Sequence, residues 1–311
     1  MKILETFNLT KIYGTQFAVD KVNMTVNAGD IYGFVGLNGS GKTTLIRLIT
    51  QLIRPSSGSF NLFEKKVTQG FFASPDLENR ISSMVETPSI YLNLSAIDNI
   101  IAQCRIANVP IADKPQRLLN FVGLDPNSKK KAHNFSLGMR QRLGIAMALV
   151  VDPKLMLLDE PTNGLDPEGI MEIRKLLQHL NKEMGITILV SSHILTELSK
   201  FATCYGFIHN GKLIKEVSSQ ELFDSCHTSI SIECPNPQLL LSKLGNDFDA
   251  QMNGANIEIR GDEQTMPKVL QVIHKNNILL TNIHKTELGL EDYFINLIKN
   301  EDEKKKYPFI N

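Results

Sequence analysis

The string Gly36-Leu37-Asn38-Gly39-Ser40-Gly41-Lys42-Thr43 constrains the fold more than any other stretch of the chain. It matches G-x-x-x-x-G-K-[ST] and follows a short apolar run, Ile31-Tyr32-Gly33-Phe34-Val35. Residues 42–50 are then apolar at Leu45, Leu48 and Ile49, the spacing of one helix face. Strand, glycine loop and helix in that order bring backbone N–H groups and a helix N-terminus onto an anion. The glycines let the backbone approach phosphate oxygens, Lys42 reaches the β- and γ-phosphates, and Thr43 offers a hydroxyl to Mg²⁺.

Two more strands extend this pattern. Leu155-Met156-Leu157-Leu158 is apolar at consecutive positions, as a strand buried on both faces would be. Ile186-Thr187-Ile188-Leu189-Val190 is the third, and a helical pattern runs from 194 to 201. Three buried strands, each followed by a loop or helix, imply an α/β layer architecture. From about 93 to 150 the pattern is mostly helical, punctuated by Pro110 and by 123–126, which predicts a helical insertion. The character changes near Ser218. Ile230, Ile232 and Cys234 alternate with polar residues, and residues 239–244 look helical. Ile257 and Ile259 alternate in turn, Val269, Leu270, Val272 and Ile273 share a helix face, and 278–283 reads as a strand. Leu290, Tyr293, Phe294, Leu297 and Ile298 mark an amphipathic helix. A small βαβαβα unit is expected over 219–311, with the charged stretch 301–306 fraying. A chain of 311 residues suits one large or two modest domains, and this change divides it into 1–218 and 219–311.

The 33 basic and 33 acidic side chains cancel, so no uniform field draws the chain toward a phosphate polymer. Apolar stretches such as 155–158 and 186–190 are broken by charge within a few positions, far short of the ~20 residues a membrane helix needs. Glu5 stands where a secretion signal would hold its apolar core, which argues for a reducing cytoplasm. Cys104, Cys204, Cys226 and Cys234 form no C-x-x-C pair and read as small apolar residues.

Asp159 closes the 155–158 run and Glu160 follows it. The carboxyl end of a buried strand is where such a sheet holds its ligand, so Asp159 suits Mg²⁺ and Glu160 an attacking water. With these, Phe135-Ser136-Leu137-Gly138-Met139-Arg140-Gln141-Arg142 resembles the signature sequence of ABC-type ATPases. Thr162-Asn163-Gly164-Leu165-Asp166-Pro167 resembles their D-loop, Ser191-Ser192-His193 resembles their switch-histidine loop, and Tyr13 falls where the family stacks an aromatic on adenine. The resemblance covers about 1–218 and implies a P-loop NTPase fold, an ABC-type nucleotide-binding domain with a helical subdomain at about 88–150, plus a small C-terminal α+β domain. It implies ATP and Mg²⁺ as ligands. Gly36, Asn38, Gly39, Ser40, Gly41, Lys42, Thr43 and Thr44 would then hold the phosphates, Glu160 and His193 would be catalytic, and Thr43 and Asp159 would hold the metal. It also implies a head-to-tail dimer, of identical or related chains, in which Ser136 and Gly138 of one subunit close on ATP held by the other, with Asp166 in the intervening loop.

Two departures stand out. Leu137 and Met139 replace a Gly and the Gln of the usual signature, and the loop that usually presents a glutamine presents Glu86, in Ser83-Met84-Val85-Glu86-Thr87-Pro88. A carboxylate there can meet Mg²⁺ or water but adds negative charge near phosphates. With the following 88–96 stretch and the C-terminal unit, it resembles ATP-binding subunits of bacitracin-resistance and lantibiotic self-protection exporters. That resemblance implies a peripheral protein at the cytoplasmic face of the membrane, driving a separately encoded permease. A second reading is a soluble ATPase of the same superfamily acting on ribosomes or nucleic acid. Against it stand a single P-loop, no long heptad run and no C-x-x-C; Lys129-Lys130-Lys131 is its main support.

Overall fold

The computed structural model describes residues 1–67, 80–226, 228–253, 256–261, 265–287 and 289–306. They divide into two compact units, Met1–Ser218 and Ser219–Asn311.

The first unit is built on β4 (Ile31–Val35), β8 (Leu155–Asp159) and β9 (Thr187–Ser192), every residue of which is buried. Continuous apolar sequence is what a strand covered on both faces requires, and these three are neighbours in a six-stranded sheet of order β11-β10-β4-β9-β8-β7. β10 (Cys204–His209), β4, β9, β8 and β7 (Ile81–Met84) are mutually parallel; β11 (Lys212–Ser218) closes the edge antiparallel to β10. Register decides the site: Val35 pairs with Ser192 and Asp159 with Ser191. Three strands therefore end at one level, and the loops leaving them share one edge.

The P-loop leads from β4 into α1 (Lys42–Ile49), whose Leu45, Ile46, Leu48 and Ile49 are fully buried. They pack with a second, antiparallel sheet of order β2-β1-β5-β6, formed by β1 (Lys2–Tyr13), β2 (Gln16–Val22), β5 (Ser57–Leu62) and β6 (Lys65–Val67), with β3 (Thr25–Asn27) also on β1. This sheet escaped the sequence reading. β1 is broken by Asn8 at φ 46° and by register shifts between Leu9 and Lys11 and between Phe7 and Thr10, so its burial does not alternate cleanly.

The helical insertion contains α2 (Ala96–Ile106), α3 (Lys114–Phe121) and α4 (Leu137–Ala148). Ser95 caps α2 by accepting from the Asp98 N–H at 3.3 Å, and Ser136 caps α4. After β8, α5 (Pro167–Met184) returns to β9. The helix expected over 194–201 is a single turn, α6 (Leu195–Leu198).

In the second unit α7 (Ser219–Ser225) precedes β12 (Thr228–Glu233), α8 (Pro237–Leu244), β13 (Asp249–Asn253), β14 (Asn256–Gly261), α9 (Thr265–Lys275), β15 (Asn282–Glu287) and α10 (Leu290–Lys306). The antiparallel order β13-β14-β12-β15 makes this a βαββαβα unit rather than the expected βαβαβα, with one strand more than expected. β13 was missed because Ala250 and Met252 give only a short, weak alternation in Asp-Ala-Gln-Met-Asn, and four of the five residues are exposed on an edge strand paired with β14. The last strand lies at 282–287 rather than 278–283: Ile278 and Leu280 pack on the core from the connecting loop, which imitates a strand in sequence. Ile230, Ile232, Ile257 and Ile259 face Leu240, Leu244, Val269 and Ile273 to form that core. Residues 301–306 continue α10 instead of fraying, as Glu and Lys are good helix formers. Among the described residues no helix is long and apolar enough to cross a membrane.

Gly206 on β10 lies beneath Tyr32, and a Cβ there would meet the tyrosine Oη at 2.0 Å. Gly206→Ala should therefore destabilise the first unit by about 1–3 kcal/mol, seen as a lower urea midpoint. Adding Tyr32→Phe should recover part of the loss.

Candidate active site

Gly36 and Gly41 of the loop are demanded by space, and Gly39 by its φ of 78°. Gly41 has φ 111°, and a Cβ on it would lie 2.3 Å from the Ala18 carbonyl oxygen; a Cβ on Gly36 would lie 2.4 Å from Ser40 Oγ. The Gly36 N–H donates to the Ser192 carbonyl at 3.3 Å, tying the loop's first residue to the end of β9. Over this loop opens a cavity of about 540 Å³, lined by Asn38, Gly39, Ser40, Gly41, Lys42, Thr43 and Thr44, by Tyr13, Phe17 and Ala18 from the β1–β2 hairpin, and by Glu160 and Asn163.

Lys42 is 5% exposed, and its ammonium donates to the carbonyls of Gly36 at 2.6 Å and Leu37 at 3.2 Å. It also lies 3.2 Å from Glu160 Oε1. The other Glu160 oxygen, Oε2, lies 2.7 Å from His193 Nδ1. Glu160 thus stands between a cation and an imidazole, facing the cavity, with its backbone at φ 51°. A left-handed glutamate is uncommon and marks a side chain held at a set angle.

Asp159 is 1% exposed. Its Oδ2 accepts from the Thr43 hydroxyl and its Oδ1 from the Ser191 hydroxyl, both at 2.6 Å. A hydroxyl and a carboxylate side by side are the hard oxygen donors Mg²⁺ takes, usually from one or two protein carboxylates together with phosphate oxygens. Thr43 and Asp159 therefore fit that ion.

Tyr13 and Phe17 are both about half exposed, and Lys11 Nζ lies 5.1 Å from the Tyr13 ring centroid. Tyr13 sits at the hairpin tip, where an aromatic face is free to stack. Phe17 was not singled out by sequence, since a lone aromatic carries no spacing signal, and Asn163 was read only as part of the D-loop stretch, not as lining this cavity.

Other expected residues lie apart from this cavity. Glu86, at φ 62°, does not bond to Thr43 or Asp159; its Oε1 accepts from Arg47 Nη2 at 2.7 Å, one turn along α1 from Thr43. Ser136 Oγ accepts from the Met139 N–H at 3.2 Å as the cap of α4, and a Cβ on Gly138 would meet only Leu165, at 3.8 Å. Asp166 caps α5 by accepting from the Gly169 N–H at 3.0 Å. Leu137 is partly exposed and packs toward Gly164, where a Cβ would lie 3.3 Å from Leu137 Cδ2, so the substituted signature position leans on the D-loop. The cysteines are unpaired; burial pushes the Cys204 thiol up to about 12 and raises those of Cys104 and Cys226.

The family profile described as ABC transporter matches residues 19–163. The chain is 40% identical over 302 residues to the bacitracin transport ATP-binding protein BcrA of Bacillus licheniformis, covering 95% of this chain and 97% of that protein. It is 43% identical over 214 residues to the lantibiotic transport ATP-binding protein SrtF of Streptococcus pyogenes, covering 69% and 90% respectively. Among solved structures, cbiO1 of Clostridium perfringens, part of the ABC transporter complex cbiONQ, superposes with a TM-score of 0.66 at 28% identity, over 72% of this chain and 91% of that one.

Lys42→Ala should remove nucleotide binding in a fluorescent-ATP titration, because it deletes the ammonium buried at the loop. Glu160→Gln should slow hydrolysis by about 10²–10⁴, the usual cost of losing a general base, while nucleotide affinity persists.

Proposed function

The chain belongs to the ABC transporter family as an ATP-hydrolysing subunit, and from that premise we propose that it drives a bacitracin- or lantibiotic-type exporter through a separate membrane permease. The single observation that carries the ATPase reading is the convergence of Lys42, Thr43, Asp159, Glu160 and His193 at one sheet edge. The export reading is supported by similarity to BcrA along nearly the whole chain, C-terminal unit included.

In this reading the backbone N–H groups of residues 38–44 and the Lys42 ammonium take the β- and γ-phosphates, and Tyr13 stacks on adenine. Thr43 and Asp159 hold Mg²⁺, which neutralises phosphate charge when bound. Glu160 accepts a proton from the attacking water while His193 orients its carboxylate and contacts the γ-phosphate. Catalysis of this kind is mainly positioning and electrostatics. Ser136 and Gly138, remote from the subunit's own cavity, act across a head-to-tail dimer, where the start of α4 faces the partner's γ-phosphate, with Asp166 beside the contact. Nucleic acid has no part in this cycle, and the protein works at the cytoplasmic face of the membrane.

The permease would dock in a groove of about 240 Å³ between the Glu86 loop and the helical insertion. Met84, Thr87 and Pro88 line one wall, Gln103 and Met147 the other, and Gly144 its floor. Gly144 has no room for a side chain, since a Cβ there would lie 2.7 Å from Pro88. Glu86 borders this groove and touches α1 through Arg47, a position from which it would act on both the metal and the permease. The C-terminal unit is assigned the role of holding two subunits together between cycles.

Purification from solubilised membranes should bring down an integral membrane protein. Cells carrying Lys42→Ala should be more susceptible to bacitracin or a lantibiotic than cells with the parent protein. Equal susceptibility to both would refute the export reading while leaving the ATPase intact. Glu86→Gln should reduce resistance more than it reduces basal hydrolysis, measured on cells and on purified protein respectively. Truncation after Phe223 should leave hydrolysis measurable but weaken self-association in the absence of ATP.

A further inference from the structure

The end of β9 places a serine hydroxyl between two carboxylate-bearing residues. Ser191 is fully buried, beside Ser192 and His193, on the strand between the P-loop strand β4 and the carboxylate strand β8. Its register partner across the parallel ladder is Asp159. A serine hydroxyl has one proton to give and lone pairs to accept with, and Ser191 uses both. It donates to Asp159 Oδ1 at 2.6 Å and accepts the Glu160 N–H at 2.9 Å.

We infer that Ser191 is a positioning residue that sets the metal-binding carboxylate and the general base together. A carboxylate can rotate about its terminal bond, and a bond at one oxygen removes that freedom. With Oδ1 fixed by Ser191, Oδ2 is the oxygen turned to Thr43, so the pair that fits Mg²⁺ is preorganised. The next residue is governed by the same hydroxyl. Glu160 has its backbone in the left-handed region, and the N–H that begins that turn is the one Ser191 accepts. Anchoring the N–H there leaves the Glu160 carboxylate between Lys42 and His193. Ser191 is fully buried and Asp159 1% exposed, so the hydroxyl is not one that bulk solvent already competes with. Neighbouring hydroxyls do not duplicate it: Ser192 Oγ accepts from the Ile194 N–H, and Thr162 donates to Glu197.

The inference rests on the Mg²⁺–ATPase reading, and its test separates the two. Parent, Ser191→Ala and Ser191→Thr proteins are titrated with fluorescent ATP in excess chelator and then in rising Mg²⁺, and steady-state hydrolysis is followed over the same Mg²⁺ range. For Ser191→Ala, the chelator affinity should stay within about two-fold of the parent, while half-saturating Mg²⁺ rises by roughly 10–100-fold, as for loss of a group supporting a metal ligand. Its kcat should remain depressed at saturating Mg²⁺, because Glu160 is released too. Ser191→Thr, which keeps the hydroxyl, should recover most of both. An Ala variant with parental Mg²⁺ dependence and kcat would overturn the inference, as would a Thr variant as impaired as Ala, or equal loss of affinity with and without Mg²⁺. If Ser191→Ala does not fold, Ser191→Val against Ser191→Thr compares a methyl with a hydroxyl at nearly constant shape, and parity between them overturns it equally. A parent protein indifferent to Mg²⁺ would overturn the metal assignment and this inference with it; an indifferent variant beside a dependent parent overturns the inference alone.

Discussion

The buried carboxylate of Asp159 is the interaction on which the first unit's chemistry depends. Taking an ionised carboxylate out of water is costly unless hydrogen bonds and nearby charge compensate it. Here one oxygen is bonded to Thr43 at the start of α1 and the other to Ser191 on β9. Those bonds join the loop after β4, the end of β8 and the end of β9 into one rigid edge. The sheet order makes this possible, because β9 lies between β4 and β8 and places Ser191 level with Asp159.

Charge is balanced around the same edge. Lys42 is nearly inaccessible, and its ammonium is shared among two carbonyls and Glu160. Phosphate oxygens entering the cavity compete for a cation already desolvated, so the attraction is not spent on stripping water from it. In the proposed cycle Glu160 would lose part of its cationic partner when Lys42 turned to phosphate, while its contact with His193 remained. Binding and base activation would then be linked through the Lys42 ammonium.

What sequence made legible follows from how local each constraint is. The P-loop is contiguous, and its glycines answer to clashes with Ala18 and Ser40 that no side chain could avoid. The fully buried strands announce themselves by unbroken apolar runs, which is why β4, β8 and β9 were readable and fixed the α/β class. β1 was not, since its bulges scramble the period, and β13 was not, since an exposed edge strand needs no apolar face. Within the site, Lys42, Asp159 and Glu160 were visible from their place beside strands and glycines. Ser191 was not visible as a working residue, because its role arises from a register between strands 32 positions apart. A serine in a buried strand carries no local sign of the two groups it will meet.

Glu86 shows how a departure from family pattern is accommodated physically. A carboxylate close to a triphosphate would raise the local negative charge, but this one is paired with Arg47 at 2.7 Å. The pair is solvent-exposed and contributes little to stability by itself. Its consequence is electrostatic bookkeeping at short range: the loop presents a neutral couple rather than a lone anion. Because both side chains already reach solvent, Glu86 can leave Arg47 at little cost, and in the proposed cycle a multiply charged phosphate or its metal would supply partners for each. Arg47 stands one turn from Thr43 on α1, which puts the couple on the helix that leaves the P-loop. The Glu86 loop also walls the groove toward Pro88, so under the proposed docking an exchange of partners would be felt where the permease sits. An amide in that place would hydrogen-bond but would have no charge to exchange, so in that proposal the carboxylate would be a different kind of link between nucleotide and groove.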